Sequence, residues 1–126
     1  MNDRDTRLIE LKGLVADFVA QRRWNQFHTP KNLAMALAIE AAELMEHFQW
    51  LTPDESRAIG QRPDECADVA DELADIVCYA LAFANELDID VAAAVAGKMQ
   101  KNRAKYPASE YRGRFGPKDD RPVAPE

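Results

Sequence analysis

Apolar residues recur every three or four positions along most of the chain, and no stretch reads convincingly as a strand. An all-α fold is predicted, built as a four-helix bundle. The first helix covers roughly residues 5–22, where Leu8, Leu11, Val15 and Phe18 form a stripe at helical spacing. A loop follows to Pro30, which suits a first helical turn with Thr29 as its cap. The second helix is predicted to run to about Leu51, with Leu33, Leu37, Leu44, Phe48 and Leu51 on one face. Residues 53–60 form a short helical turn, and Pro63-Asp64 opens a third helix reaching about Leu87. The second half of that helix, residues 76–84, is apolar almost all round and must be covered on more than one side. Four helices in one protomer cannot easily supply that cover, so a subunit interface is expected there. Asp88 or Asp90 caps a fourth helix from about Val91 to Lys105, with Val91, Val95 and Met99 inward, and Pro107 ends it. From Arg112 the chain is rich in Pro, Gly and charge, which predicts a folded domain over residues 1–111 and a mobile tail over 112–126.

Composition narrows the function. A chain of 126 residues suits one domain. A net charge of -6 opposes binding to polymeric nucleic acid, which needs a basic surface. No run approaches the roughly 20 apolar residues that span a bilayer. The N-terminal residues lack the apolar core of a signal peptide, so a cytoplasmic location without membrane attachment is expected. Cys66 and Cys78 are well separated and form no CxxC motif, which opposes a disulfide framework or a zinc ribbon. Cys78 is expected as a small core residue.

Two carboxylate pairs share one spacing. Glu40 and Glu43 are three apart in the second helix, and Glu72 and Asp75 are three apart in the third. A three-residue step puts both members on one helix face. If the helices pack antiparallel, four carboxylates converge. Two such groups about 5 Å apart repel by roughly 3 kcal/mol at an effective dielectric near 20. Acidic residues at this spacing are commonly solvated and paired with Lys or Arg. Here residues 33–51 and 64–87 contain neither, so a divalent cation is the expected partner. Oxygen ligands alone favour Mg²⁺ or Mn²⁺, or Ca²⁺ in other settings, and no EF-hand loop is present. Di-iron bundles use Glu-x-x-His, whereas His47 follows Glu43 by four and the third helix has no His. Mg²⁺ held by a few carboxylates suits phosphate chemistry.

Other parts of such a site have two readings each. Trp24, His28 and Trp50, with Phe27, can offer stacking faces to a base, or they can pack the core. Lys98, Lys101, Asn102, Arg103, Lys105 and Tyr106 can meet phosphate oxygens, or the cations can simply complement a helix C-terminus. No Walker A motif or Gly-rich phosphate loop exists. A non-catalytic helical oligomer or partner-binding module would explain the apolar third helix equally well. It would leave the unpartnered acids unexplained.

Four segments resemble a known family: Phe27-His28-x-Pro30-x-Asn32-Leu33, Glu40-x-x-Glu43-Leu44-x-Glu46-x-Phe48-Gln49-Trp50, Asp71-Glu72-Leu73-x-Asp75-Ile76, and Lys98-Met99-x-x-Asn102-x-x-Lys105-Tyr106-Pro107. In this order they resemble the MazG-like all-α nucleoside triphosphate pyrophosphohydrolases, most nearly the dCTP pyrophosphatase branch, over roughly residues 20–110. The resemblance implies Mg²⁺-dependent cleavage of a (deoxy)nucleoside triphosphate to its monophosphate and pyrophosphate, a nucleotide-pool cleansing reaction. It implies metal ligation by Glu40, Glu43, Glu72 and Asp75. It places Trp24, His28 and Trp50 near the base, Tyr79 near the sugar and base, and Lys98, Asn102, Lys105 and Tyr106 on the phosphate side. A homo-oligomer, tetramer or dimer, is also implied. Some relatives carry an extra Glu after the first motif Glu, and here that position is Ala41. The activator of the attacking water is thus left unassigned; a metal-bound water held by Glu40 or Glu43 is the first candidate, and Glu46 the second.

Overall fold

A computed structural model describes residues 1–116 and 118–126. It contains α1 (Leu8–Gln21), α2 (Pro30–Glu46), α3 (Pro53–Ala58), α4 (Pro63–Glu86), α5 (Val91–Lys105) and α6 (Ala108–Tyr111). Single 3₁₀ turns lie at Trp24–Gln26 and Ile59–Gln61, and there is no strand among the described residues. The all-α expectation holds. The chain divides into two compact units, Met1–Ile89 and Asp90–Glu126.

The first unit is organised by α4, with α2 packed along it and α1 against it. Local chemistry sets the boundaries. Thr29 caps α2 by accepting from the Asn32 backbone N–H at 3.2 Å, with Pro30 in the first turn. Thr52 and Glu55 form a capping box at the start of α3. The end of α4 is a Schellman closure. The Ile89 N–H donates to Ala84 O at 2.9 Å and the Asp88 N–H to Asn85 O at 3.4 Å, with Asp88 left-handed at φ 51°. Aspartate tolerates that conformation better than most side chains. The α1–α4 contact is fastened by two long-range bonds: Lys12 Nζ donates to Ile89 O at 2.8 Å, and Asn85 Nδ2 donates to Lys12 O at 3.0 Å.

The core of this unit is small. Val19, Leu33, Ile59, Leu81, Ala82 and Ala84 are buried, and Leu33 is the most enclosed at 2% exposure. Leu37, Leu44, Phe48 and Leu51 are half-buried, so the predicted face of α2 and the turn after it is correct. On α1 the buried line runs through Leu8, Leu11, Val15 and Val19, and Phe18 is exposed. Only the last member of the stripe differs from the sequence expectation, Val19 in place of Phe18, because the α4 contact selects the i+4 step from Val15. Cys78 is exposed rather than in the core. It lines an apolar groove of about 330 Å³ between α1 and α4, together with Leu14, Leu73 and Val77. Burial and the nearby Asp75 charge push its thiol upward, which keeps it protonated.

In the second unit, Asp90 is the cap that the sequence left open against Asp88. Its Oδ1 accepts from the Ala93 N–H at 2.9 Å. Val91 is half-buried, but Val95 and Met99 are exposed, contrary to the inward stripe expected of them. Among the described residues of 112–126, the Ala124 N–H donates to Arg112 O at 2.7 Å and the Phe115 N–H donates to Asp119 Oδ2 at 2.6 Å. Arg121 also clasps the Asp119 carboxylate. Gly113 sits at φ 75°, and a Cβ there would lie 2.9 Å from the Ala124 Cβ. Pro117 falls in the predicted tail and lies outside the described residues.

Candidate functional site

The site grows from α2 and α4. Glu40 and Glu43 occupy successive turns of one α2 face, and Glu72 comes from α4. Ligand oxygens of these three residues all lie within 4.8 Å of one another. Further along α2, His47 Nε2 is 3.7 Å from Glu72 Oε1. Glu40, one end of the set, feels the charge of Asp75 as well as that of Glu72. Moving up α2 therefore corresponds to moving down α4, the antiparallel arrangement under which the sequence brings the carboxylates together.

Asp75 differs from its expected place. It is exposed and does not join the compact trio. Its neighbours Leu73 and Ala74 are exposed too, because this part of α4 is uncovered within the protomer. Its charge still reaches Glu40 and Cys78. Glu46, the last residue of α2, is exposed. The Glu40 carboxyl is held above its ordinary range by burial, by a hydrogen bond with Glu43, and by the charges of Glu43, Asp75 and Glu72. Among the described residues, no Lys or Arg pairs with the trio. An all-carboxylate donor set with like-charge crowding fits a hard divalent ion that completes its shell with water.

His47 was weighed in the sequence only as a failed Glu-x-x-His motif. The available signal was its position four residues after Glu43, which puts it on the same face.

Near the start of α2, Trp24 packs edge-on to Phe18 at 5.7 Å between centroids and lies 6.3 Å from the His28 ring. Arg22 stacks over Phe18 at 3.6 Å. His28 Nδ1 is buried without a hydrogen-bond partner, beside a cavity of about 40 Å³ shared with Asn25 and Asn85. The core reading of the aromatics does not hold within the protomer. Trp24, Phe27 and Trp50 are all exposed, Trp50 at 87%. α2 stops at Glu46 rather than near Leu51, so Trp50 is carried on a turn outside the helix. Tyr79 is half-buried on α4, four residues after Asp75. In the second unit, Lys98, Lys105 and Tyr106 are exposed on and just after α5, and Asn102 is half-buried. Lys105 Nζ lies 5.2 Å from the Tyr106 ring centroid. No helix among the described residues is long and apolar enough to cross a membrane.

The MazG-like family profile matches residues 35–114, which carry both halves of the carboxylate set. The chain is 44% identical to human dCTP pyrophosphatase 1 over 101 residues, covering 80% of this chain and 59% of that protein. It is 41% identical to the rat dCTP pyrophosphatase 1 over 106 residues, covering 84% of this chain and 62% of its relative. It thus spans about three-fifths of the length of these relatives. A crystal structure of a pyrophosphatase from Archaeoglobus fulgidus superposes with a TM-score of 0.73 at 38% identity, covering 85% of this chain and 98% of that one.

Proposed function

This chain belongs to the MazG-like family, and from that premise we propose that it hydrolyses a deoxynucleoside triphosphate, dCTP or a close relative, to the monophosphate and pyrophosphate. The observation that carries the proposal is the convergence of Glu40, Glu43 and Glu72 within 4.8 Å. Their relatives' names supply the substrate: two mammalian proteins similar over most of this chain are dCTP pyrophosphatases.

A triphosphate approaching an acidic pocket is repelled. Glu40, Glu43 and Glu72 would hold a Mg²⁺ or Mn²⁺ ion, with Asp75 on the next turn of α4 as a further carboxylate. Such an ion would reverse the local sign, polarise a phosphoryl group and lower the pKa of a water. Glu40 or Glu43 would hold the attacking water and take its proton at a carboxylate oxygen, the two lying on successive turns of one α2 face. Glu46 is less suited, being exposed at the helix end. Ala41 leaves no further acid next to Glu40.

Trp24 and Trp50 offer exposed ring faces to the base, and His28 lies beside Trp24 at 6.3 Å between ring centroids. Tyr79 borders the sugar. For Lys98, Asn102, Lys105 and Tyr106 a phosphate-side role rests on the family resemblance of their segment alone. Exposed apolar side chains such as Ile39 (57%) and Leu73 (53%) on α2 and α4 are covered by other copies of this chain, in a dimer or tetramer. The protein acts on free nucleotides in the cytoplasm and does not bind polymeric nucleic acid.

The test is pyrophosphate release from all canonical dNTPs and NTPs, with and without Mg²⁺. Mg²⁺-dependent release that favours dCTP is the expected result. Equal rates in chelator, or no release from any nucleotide at micromolar enzyme, would overturn the proposal.

A further inference from the structure

We propose that His47 is a positioning residue for Glu72, holding the carboxylate of that metal ligand in its binding orientation; the assignment rests on the metal site put forward above. Glu72 is the only member of the trio supplied by α4, so the ion bridges two helices through it. A glutamate has three side-chain torsions, and ordering them opposes binding unless another contact has already done so. Glu40 and Glu43 sit on successive turns of α2, where a single helix sets their spacing. Glu72 has a different neighbour, the imidazole of His47, with Nε2 3.7 Å from Oε1.

The backbone makes His47 suitable for this task. It is the C-cap of α2, and its N–H still donates to Leu44 O at 3.3 Å. Its Cα is therefore fixed by the helix, and its ring leaves on the Glu43 face, towards α4. Both side chains are about three-quarters or two-thirds buried, His47 at 32% and Glu72 at 24% exposure. The separation exceeds a hydrogen bond by about half an ångström, which a small χ adjustment closes. His47 is not part of the set of oxygens that share the 4.8 Å neighbourhood, so it acts on the ligand and not on the ion. A carboxylate has a second oxygen, and an N–H on one leaves the other for the metal.

Losing such an outer partner typically weakens metal affinity by roughly 10–100-fold. The test titrates the full-length protein with Mn²⁺, counting free ion by electron paramagnetic resonance, with no nucleotide present. His47→Leu is expected to weaken the dissociation constant by roughly 10-fold or more, with an unchanged melting temperature in chelator. His47→Gln, whose side-chain amide can donate to the same oxygen, is expected to stay within about threefold of wild type. A His47→Leu protein that binds Mn²⁺ as tightly as wild type would overturn the proposal and leave the metal site standing. Equal weakening in both variants would overturn it as well, because shape alone would then explain the loss. A nitrogen coupling to the bound Mn²⁺ in spin-echo spectra would make His47 a ligand and would overturn the positioning role. If the wild-type protein and Glu43→Ala bind Mn²⁺ equally weakly, the metal site itself fails and the proposal fails with it.

Discussion

Replacing Glu43 by Gln should stabilise the metal-free protein while removing its response to metal. The ligand oxygens of Glu43 and Glu72 lie within 4.8 Å, where two unit charges repel by about 3.5 kcal/mol at an effective dielectric of 20. Glu43 is exposed, so water and salt reduce the net effect to about 1 kcal/mol. The Gln side chain has the same shape, carries no charge, and can donate its amide N–H to a neighbouring carboxylate. For a chain of this size, 1 kcal/mol corresponds to about 4 °C in melting temperature. In chelator, Glu43→Gln should therefore melt about 4 °C above wild type, and the gap should narrow as NaCl screens the charges. With Mg²⁺ at about 100 times its dissociation constant, the wild type should gain about 2.7 kcal/mol and overtake the variant, which has lost a ligand. The assay is thermal melting monitored by dye fluorescence, across a salt series, with and without Mg²⁺. A variant that melts at or below wild type in chelator, or that keeps the full Mg²⁺ shift, would refute the electrostatic account of the trio.

Other outcomes follow from individual residues. The raised Glu40 pKa means that the metal-free fold is favoured by protonation: that contribution is fully present below its ordinary value near 4.5 and is lost as pH rises through the shifted value. Metal must displace that proton, so calorimetry near pH 5 in buffers of differing ionisation enthalpy should show proton release on Mg²⁺ binding; identical heats in all buffers would contradict it. Leu33→Ala, at the most enclosed side chain, should cost about 2–5 kcal/mol in urea unfolding, and a loss below about 1 kcal/mol would show that the small core is not where the first unit is held together. Asp119 is held far below the usual carboxylate range by Arg121 and by the Phe115 and Arg121 N–H groups. Its clasp is thus present above the ordinary Asp value near 3.8 and is lost only as pH falls through the depressed one, so the Phe115 amide resonance should stay in place at pH 4. Residues 112–126 should nevertheless exchange their amides faster than α2 and α4, and protection equal to that of the helices would argue against a mobile tail.

The helices, the cap at Thr29, and the pairing of Glu40 with Glu43 were legible in the sequence, because each depends on residues within one or two turns. The shared spacing in α4 also marked Glu72 as a candidate partner, on the condition that the two helices pack against each other. Rotation and depth could not be read this way. Phe18 and Val19 are both apolar and adjacent, and only the α4 surface decides which turns inward. An apolar run follows Asp75, but a run says nothing of which helix covers it, and within the protomer none does. The end of α2 at Glu46 was hidden because Phe48 and Leu51 continue the apolar periodicity through a turn. His47 meets Glu72 only because two distant segments pack at a particular register. Short-range propensity and spacing were thus set by the order of residues, while burial, helix rotation and the contact between His47 and Glu72 were decided by packing across more than twenty residues of chain.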